Sequence, residues 1–172
     1  NLVWARAQII VDDPEAVARG KESDDVVEFI RGRVAQLKEE LLVESPYFVL
    51  PAAAQATVKA LHERNVRVRV LTNSLASNDM LPAHSGYAKT RRRLLENGME
   101  LYELRPDTEA FRPGWSLLSG RSRAALHAKA MAFDGEAVFI GSFNLDPRSA
   151  TINTEAGLYI ESAKLTKRLT DY

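Results

Sequence analysis

A chain of 172 residues is long enough for one domain with its own hydrophobic core, and 45% hydrophobic with 27% charged residues is typical of a globular protein. The 23 basic and 23 acidic residues cancel, so the overall charge favours neither nucleic acid nor anionic lipid as a partner. The chain has no cysteine, which excludes disulfides and thiolate metal sites, and no apolar run approaches the roughly 20 residues that a membrane-spanning helix needs.

The first part of the chain alternates short apolar runs of strand type with segments of helical period. Strands are expected where apolar residues cluster or alternate with polar ones, and helices where they recur every three or four positions. In chain order we expect a strand at 7–13, a helix that begins after Ser23 as its N-cap, a strand at 41–49, a helix at 52–64, a strand at 66–74, a helix at 82–96 that ends at Asn97-Gly98, and a strand at 99–104.

The second part begins with a long connection from Arg105 to Ala125, which holds two prolines and two glycines. A connection of this length in a compact domain is often functional. Two strands joined by Asp134-Gly135 follow, then a strand at 154–162 and a short terminal helix. The alternation predicts an α/β fold over residues 1–172, with a mixed central β-sheet flanked by helices.

The hairpin around Asp134-Gly135 contains the most informative residues. Side chains two apart on a strand share a face, so His127 and Lys129 are expected to point the same way, with Asp134 at the turn. A two-residue turn of Asp-Gly type pairs Phe133 with Glu136. Counting back along both strands predicts which residues of the second strand face the histidine.

By that register His127 lies opposite Ser142, and Asn144 follows on the same face. Lys129, the Ser142 hydroxyl and the Asn144 amide are donors suited to a tetrahedral anion such as phosphate. Histidine can attack phosphorus or carry a proton near neutral pH. No second histidine stands at ligand spacing, so we expect phosphodiester chemistry without a metal or cofactor.

Each part of this pattern also has a plain interpretation. A His-x-Lys pair alone is more often a solvated strand face, and an Asp-Gly pair alone indicates only a turn. The joint pattern is His-x-Lys, four residues, Asp, six residues, Gly-Ser-x-Asn. Such a combination rarely arises by chance, which favours the functional interpretation.

At these residues the chain resembles the phospholipase D superfamily. "HAKAMAFD" resembles the HxKxxxxD signature of that family and "GSFN" its trailing GSxN. The stretches "SPYFVLP", 66–104 and 141–162 are similar to the second half of bacterial cardiolipin synthases and related proteins.

This resemblance implies a phosphohistidine mechanism in which one histidine attacks phosphorus and a second acts as acid and base. It implies the acid/base role for His127, and phosphate binding by Lys129 and Asn144 with support from Ser142. It further implies that Glu155 orients His127, for which the alternative is an ordinary surface strand residue. Asp134 and Gly141 are implied to be structural.

The family site needs two motifs, whereas this chain holds one, at 127–144. His62 and His84 are not followed by lysine two residues later, and His62 is expected on a helix surface. Two alternatives stay open: the C-terminal half of a longer enzyme, or a homodimer that pairs His127 with its symmetry mate. The first residue, Asn1 rather than methionine, and the likeness to cardiolipin synthases favour the half of a longer enzyme.

Four further polar or aromatic residues are candidates for the border of a substrate pocket. Asn73, Ser74 and His84 follow the end of a predicted strand, where α/β folds place ligand sites. Tyr47 could line the same opening. The alternatives are turn-forming and capping roles for the polar residues and core packing for the tyrosine.

Three function hypotheses follow. The first is transfer or hydrolysis of phospholipid, most of all cardiolipin synthesis from phosphatidylglycerol with phosphatidylethanolamine as a second candidate lipid, by a peripheral protein on the cytoplasmic side of a bacterial inner membrane. The second is a homodimeric phospholipase D-like nuclease, which zero net charge weakens. The third is a non-catalytic lipid-binding or dimerisation module, which the intact His-Lys-Asn set argues against.

Overall fold

A computed structural model of the protein describes residues 2–19, 24–77, 81–105 and 125–171. The described strands form one mixed sheet in the spatial order β1-β7-β6-β5-β2-β3-β4. The strands are β1 (Arg6–Val11), β2 (Glu40–Glu44), β3 (Arg67–Asn73), β4 (Met99–Leu104), β5 (Ala130–Phe133), β6 (Ala137–Gly141) and β7 (Ala156–Glu161). The described helices are α1 (Pro14–Ala18), α2 (Asp25–Ala35), α3 (Ala52–Glu63), α4 (Leu81–Glu96), α5 (Pro147–Thr151) and α6 (Ala163–Thr170).

The sheet has a parallel half and an antiparallel half, which meet between β2 and β5. Strands β2, β3 and β4 are parallel and are connected through α3 and α4, whereas β5, β6, β7 and β1 pair antiparallel. Because β5 runs antiparallel to β2, its first residue Ala130 pairs with Glu44, the last residue of β2. The residues that precede β5 therefore lie at the edge of the sheet where β2 and β3 end.

The two faces of the sheet are covered differently. One face carries α2, α3 and α4 over a single hydrophobic core that includes Val43, Val70, Phe139 and Tyr159. The opposite face carries α6, which packs on β5 and β6 and covers residues such as Val138. Helix packing on both faces explains why every residue of β5 is buried.

Beyond α6, the second face exposes a row of apolar side chains on β1, β7 and β6. Ile9 pairs with Leu158, and Leu158 pairs with Ile140, so the three side chains lie side by side. Their exposed fractions are 73%, 37% and 51%. Val11, two residues after Ile9 and half exposed, continues the apolar surface on β1. These four residues form what we call the apolar row.

The fold class confirms the sequence prediction, and so do most elements between residues 40 and 104. The strand expected at 41–49 ends earlier, at Glu44, because Pro46 cannot donate to a sheet ladder. Helices α1 and α5 were not expected. The proposed N-cap Ser23, and the connection at 106–124, lie outside the described residues. Within the described ranges, no helix is long and apolar enough to cross a bilayer.

The predicted pairing of the hairpin was wrong by one residue. Phe133 pairs with Ala137 rather than with Glu136, so three residues connect β5 and β6. The turn is pulled toward β2, because Asp134 N donates to Glu40 O at 2.8 Å, and Asp134 adopts a left-handed φ of 50°. In the observed register, Ser142 lies one residue away from the position opposite His127. The prediction that these two residues lie opposite each other was therefore wrong.

Candidate functional site

The histidine and lysine of the motif lie together in an irregular segment just before β5. We call residues 125–129 the His127 segment. Lys129 Nζ lies 3.4 Å from His127 Nε2 and also donates to His127 O at 3.2 Å. His127 is exposed and Lys129 is half-buried. The pair therefore presents a cation and an imidazole nitrogen to solvent at the edge of the sheet.

Asn144 lies in a second irregular segment, residues 142–146, which we call the Asn144 segment. Its Nδ2 lies 3.5 Å from Ser149 Oγ in α5, and its Oδ1 is buried with no hydrogen-bond partner among the described residues. Asp146 caps α5 by accepting hydrogen bonds from Arg148 N and Ser149 N. The cap fixes the end of the segment, and one N–H of the Asn144 amide is directed at α5.

Ser142 and Glu155 form a second polar group. The Ser142 hydroxyl donates to Glu155 Oε2 and accepts from Ala156 N at 3.0 Å. Asn153 Nδ2 donates to Glu155 Oε1 at 3.3 Å, so both carboxylate oxygens are engaged. Only 4% of Glu155 is exposed. The hydrogen bonds of the described residues include none between Glu155 and His127.

Asp12, which was not among the predicted site residues, holds the backbone of Glu155. Its Oδ2 accepts from Glu155 N at 2.9 Å, its own N–H donates to Glu155 O at 2.9 Å, and its Oδ1 accepts from Val26 N at 2.9 Å. Asp12 is buried at the end of β1. An acidic residue directly after an apolar strand is the sequence signal that could have identified it.

Asp134 and Gly141 hold the hairpin in place. Asp134 accepts hydrogen bonds from the N–H groups of Lys38, Glu39 and Glu40 at 2.8–3.2 Å. Burial alone would raise the pKa of Asp134, but the three backbone donors and the charge of Lys38 outweigh it and hold that pKa below its ordinary value. A Cβ on Gly141 would lie 2.3 Å from Ala156 O, so β6 and β7 approach too closely there for any side chain.

The two polar groups are joined through the main chain. Gly141 N donates to Lys129 O at 3.1 Å, and Ser142 N donates to Ala156 O at 2.9 Å. The structure thus brings His127 and Lys129 into contact, and Ser142 and Glu155 into contact. Hydrogen bonds between the two groups of side chains are not present among the described residues.

The four candidate pocket residues have different surroundings. Asn73 is buried, and its amide contacts the backbone of Leu126 and Pro46. Ser74 Oγ lies 3.0 Å from Ser77 Oγ in a turn, and Tyr47 is half-buried beside β2. His84 packs edge-on against Tyr87 at 5.8 Å, with a buried Nδ1 that lacks a hydrogen-bond partner among the described residues.

A groove of about 740 Å³ lies at the opposite end of β5, lined in part by Arg33, Lys38, Asp134 and Glu136. It contains neither His127 nor Asn144, and backbone donors already engage the Asp134 carboxylate. The chemistry-bearing residues lie instead on an open edge. Within the described ranges, no three His, Cys, Asp or Glu side chains are grouped as metal ligands would be.

Comparison with known families and sequences gives consistent results. The family described as "Cardiolipin synthase, PLD-like domain" matches residues 30–172. Cardiolipin synthase C of Escherichia coli is 39% identical over 168 residues, which cover 96% of this chain and 36% of the relative. A cardiolipin synthase of Listeria welshimeri is 27% identical over 134 residues, covering 78% of this chain and 24% of the relative. The chain thus spans about a third or less of these relatives.

Solved structures show the same fold at low sequence identity. The phospholipase D family member Nuc of Salmonella typhimurium has a TM-score of 0.69 at 15% identity, covering 98% of this chain and 91% of that chain. The phosphatidylserine synthase of Haemophilus influenzae has a TM-score of 0.62 at 17% identity, covering 95% of this chain and 36% of that chain. At such identities the likeness concerns the fold.

Proposed function

The chain belongs to the family of cardiolipin synthase, phospholipase D-like domains, and we propose that it supplies one of two histidine motifs for metal-independent phosphatidyl transfer or hydrolysis on phospholipids. The observation that carries this proposal is the contact between His127 and Lys129 at the exposed edge of the sheet, 3.4 Å from Nε2 to Nζ. The identity of 39% to a cardiolipin synthase over nearly the whole chain supports a lipid substrate.

The proposed reaction has two displacements at phosphorus. The nucleophilic histidine of the other motif attacks the phosphodiester and forms a P–N bond, while the P–O bond to the leaving alcohol breaks and His127 gives that alcohol a proton. His127 then takes a proton from the incoming alcohol or water. The new P–O bond forms as the P–N bond breaks, which restores both histidines.

The surrounding donors would stabilise the charge on phosphorus. Lys129 supplies a cation beside His127, and the second N–H of Asn144 Nδ2, besides the one directed at Ser149, is the second proposed donor to the phosphate oxygens. For Glu155 we propose a positioning role. Its hydrogen bonds to Ser142 and Asn153 fix the side chain at the start of β7, from where it would orient the motif residues around His127.

The apolar row is the surface that we propose for the partner of this half. It is exposed on the sheet face that α6 leaves uncovered, and Ser142 follows Ile140 by two residues. The occupant that we propose is the other motif-bearing half of the same polypeptide, because the match covers only 36% and 24% of the two cardiolipin synthase relatives. Docking there would bring a second motif toward His127.

Contact with a membrane surface is proposed for α4. Arg91 forms an ion pair with Glu103 at 2.7 Å and Arg92 with Glu96 at 2.9 Å, which neutralises two cations of this helix. Lys89 and Arg93 are exposed one turn apart. This exposed pair supplies the charge that would attract anionic head groups.

The decisive experiment uses the full-length protein with phosphatidylglycerol vesicles, with and without phosphatidylethanolamine, and follows lipid products by mass spectrometry. We expect cardiolipin from the wild type and none from His127→Ala. His62→Gln is the matched control, because His62 is an exposed histidine on α3 outside the motif. Its product yield should match the wild type.

The products distinguish the alternatives. Phosphatidic acid as the sole product would identify a hydrolase that uses the same intermediate. Nicking of plasmid DNA, without any lipid product and lost in His127→Ala, would contradict the lipid proposal and support a nuclease. Vesicle binding that survives His127→Ala, without either activity, would support a binding module.

A further inference from the structure

We infer that Asn73 and Ser45 are positioning residues, which hold the His127 segment and the Asn144 segment from the carboxyl ends of β3 and β2. This inference rests on the proposed function, since it concerns how that site is kept in shape. Neither residue touches the reacting atoms. Each places a motif segment through its backbone.

Asn73 binds both backbone groups of Leu126, the residue that precedes His127. Its Oδ1 accepts from Leu126 N at 2.8 Å, and its Nδ2 donates to Leu126 O at 3.0 Å and to Pro46 O at 3.4 Å. A side-chain amide is a group that can donate and accept at once in this way. Only 2% of Asn73 is exposed. The amide therefore replaces the sheet neighbour that Leu126 lacks.

Ser45 provides the equivalent support on the other segment. Its hydroxyl accepts from Leu145 N at 3.2 Å and donates to Tyr47 O at 2.7 Å. Leu145 O accepts from Val49 N at 2.7 Å, so both backbone groups of Leu145 are bound. Ser45 is also 2% exposed. The residue directly after Asn144 is thereby fixed to the chain that follows β2.

The placement of both residues argues for a role beyond general stability. The His127 and Asn144 segments lie outside the named strands, and their backbone bonds to the sheet are limited to contacts such as Gly141 N to Lys129 O and an isolated bridge between Phe48 and Leu145. The side-chain hydrogen bonds of Asn73 and Ser45 therefore add to the few backbone bonds that position these segments. The carboxyl ends of adjacent parallel strands are the edge where α/β folds place their ligands. Two buried polar side chains at that edge direct their hydrogen bonds to the backbone beside His127 and Asn144.

Loss of the Asn73 hydrogen bonds and loss of the Ser45 hydrogen bonds should change different kinetic constants. Loosening Leu126 displaces His127, the proposed proton carrier, and should lower kcat. Loosening Leu145 displaces Asn144, a proposed phosphate contact, and should raise KM. A displacement of about 1 Å at a catalytic group can reduce the rate on the order of a hundredfold.

The test uses Asn73→Asp and Ser45→Ala in the full-length protein. Asn73→Asp is nearly isosteric, keeps an acceptor for Leu126 N, and replaces the donor that faces Leu126 O. Asn97→Asp is its matched control, because Asn97 Nδ2 donates to the carbonyl of Gln55 at 3.5 Å, away from the motif. Ser45→Thr keeps the hydroxyl and should restore function relative to Ser45→Ala.

With rates normalised to folded protein, we expect Asn73→Asp to lower kcat about tenfold or more with a nearly constant KM, and Ser45→Ala to raise KM about threefold or more. Asn97→Asp should stay within about twofold of the wild type. Equal losses in Asn73→Asp and Asn97→Asp, or changes that follow thermal stability alone, would overturn the inference.

A second measurement does not depend on turnover. In histidine-labelled protein, NMR should show shifted ring signals for His127 in Asn73→Asp, while the signals of His62 stay in place. Unchanged His127 signals would overturn the inference. A wild type without lipid product leaves this comparison intact, so failure of the proposed function is distinguishable.

Discussion

The hydroxyl of Ser142 donates a hydrogen bond to the buried carboxylate of Glu155, and thereby joins the Gly-Ser-Phe-Asn stretch to the start of β7. Ala156 N returns a hydrogen bond to the same hydroxyl at 3.0 Å. One small polar side chain therefore satisfies two groups of a neighbouring strand. A buried carboxylate that loses its donor is costly to the folded state.

Replacement of Ser142 by alanine should therefore destabilise the fold as well as the site. We expect the free energy of unfolding to fall by about 1–3 kcal/mol, because the buried Glu155 side chain and Ala156 N each lose a hydrogen-bond partner. Chemical denaturation measures this. Thr154→Ala, at an exposed neighbour, should stay within about 0.5 kcal/mol. Equal stability of the two variants would show that the Ser142–Glu155 bond contributes little.

Asp134 should make stability depend on pH in the acid range. Its pKa is lower in the folded chain than in the unfolded chain, so its contribution is fully present above the ordinary value of about 4. The contribution is lost as the pH falls through the lowered folded-state pKa. Asp134→Asn should reduce the melting temperature at neutral pH, and the difference from the wild type should shrink progressively on acidification below about pH 4.

The control for Asp134 is Glu136→Gln in the same hairpin. Glu136 is exposed, so its replacement removes the same charge without removing backbone hydrogen bonds to residues 38–40. Thermal melts at several pH values between neutral and acid compare the two. A parallel pH profile for Asp134→Asn and the wild type would contradict the structural role of this carboxylate.

Local patterns were sufficient to predict most of the fold. Period-two alternation identified β3, and a helical period identified α2, since both signals depend only on near neighbours. Local patterns did not predict the register of the β5–β6 hairpin. It is set by Asp134 and residues 38–40, which lie more than ninety positions earlier in the chain.

The same distinction applies to the candidate site. Strand parity predicted that His127 and Lys129 point the same way, and they lie in contact. Ser45 and Asp12 were not predicted, and Asn73 was predicted only as a candidate pocket residue. The reason is that all three side chains bind backbone groups far along the sequence. A buried serine or asparagine at a strand end has the same local pattern as an ordinary turn residue.

Two glycines should respond to alanine with opposite signs. A Cβ on Gly141 would lie 2.3 Å from the carbonyl oxygen of Ala156, and backbone cannot yield as a side chain can. We expect Gly141→Ala to destabilise by about 1–3 kcal/mol or more. Gly32 lies inside α2 with nothing within 4 Å of a Cβ, so Gly32→Ala should stabilise by about 0.5–1 kcal/mol.

Chemical denaturation of Gly141→Ala and Gly32→Ala measures how each substitution changes the free energy of unfolding. Activity adds a second criterion, because Gly141 directly precedes Ser142 and a separation of β6 from β7 would move that residue. Gly32→Ala should keep full lipid turnover. A stable and active Gly141→Ala would mean that the close approach of the two strands is not needed.

Substitutions in the apolar row should show whether a second half of the protein covers this face of the sheet. Ile9 and Leu158 are directly paired and exposed, so replacing both by glutamine removes apolar contact area without disturbing the core on the other face. In the full-length protein we expect this double variant to lose turnover and to become more sensitive to limited proteolysis between halves. In the isolated chain the same change should leave the melting temperature within about 2 °C, since each substitution is at the surface.

Leu75 and Ile152 provide the comparison, because they are exposed apolar residues outside the row. Their replacement by glutamine should leave turnover unchanged. Full turnover in the Ile9 and Leu158 double variant would place the partner elsewhere. Association of the wild-type isolated chain into a dimer that the double variant abolishes would assign this surface to a second copy instead, since an isologous pair would bury the same row on both subunits.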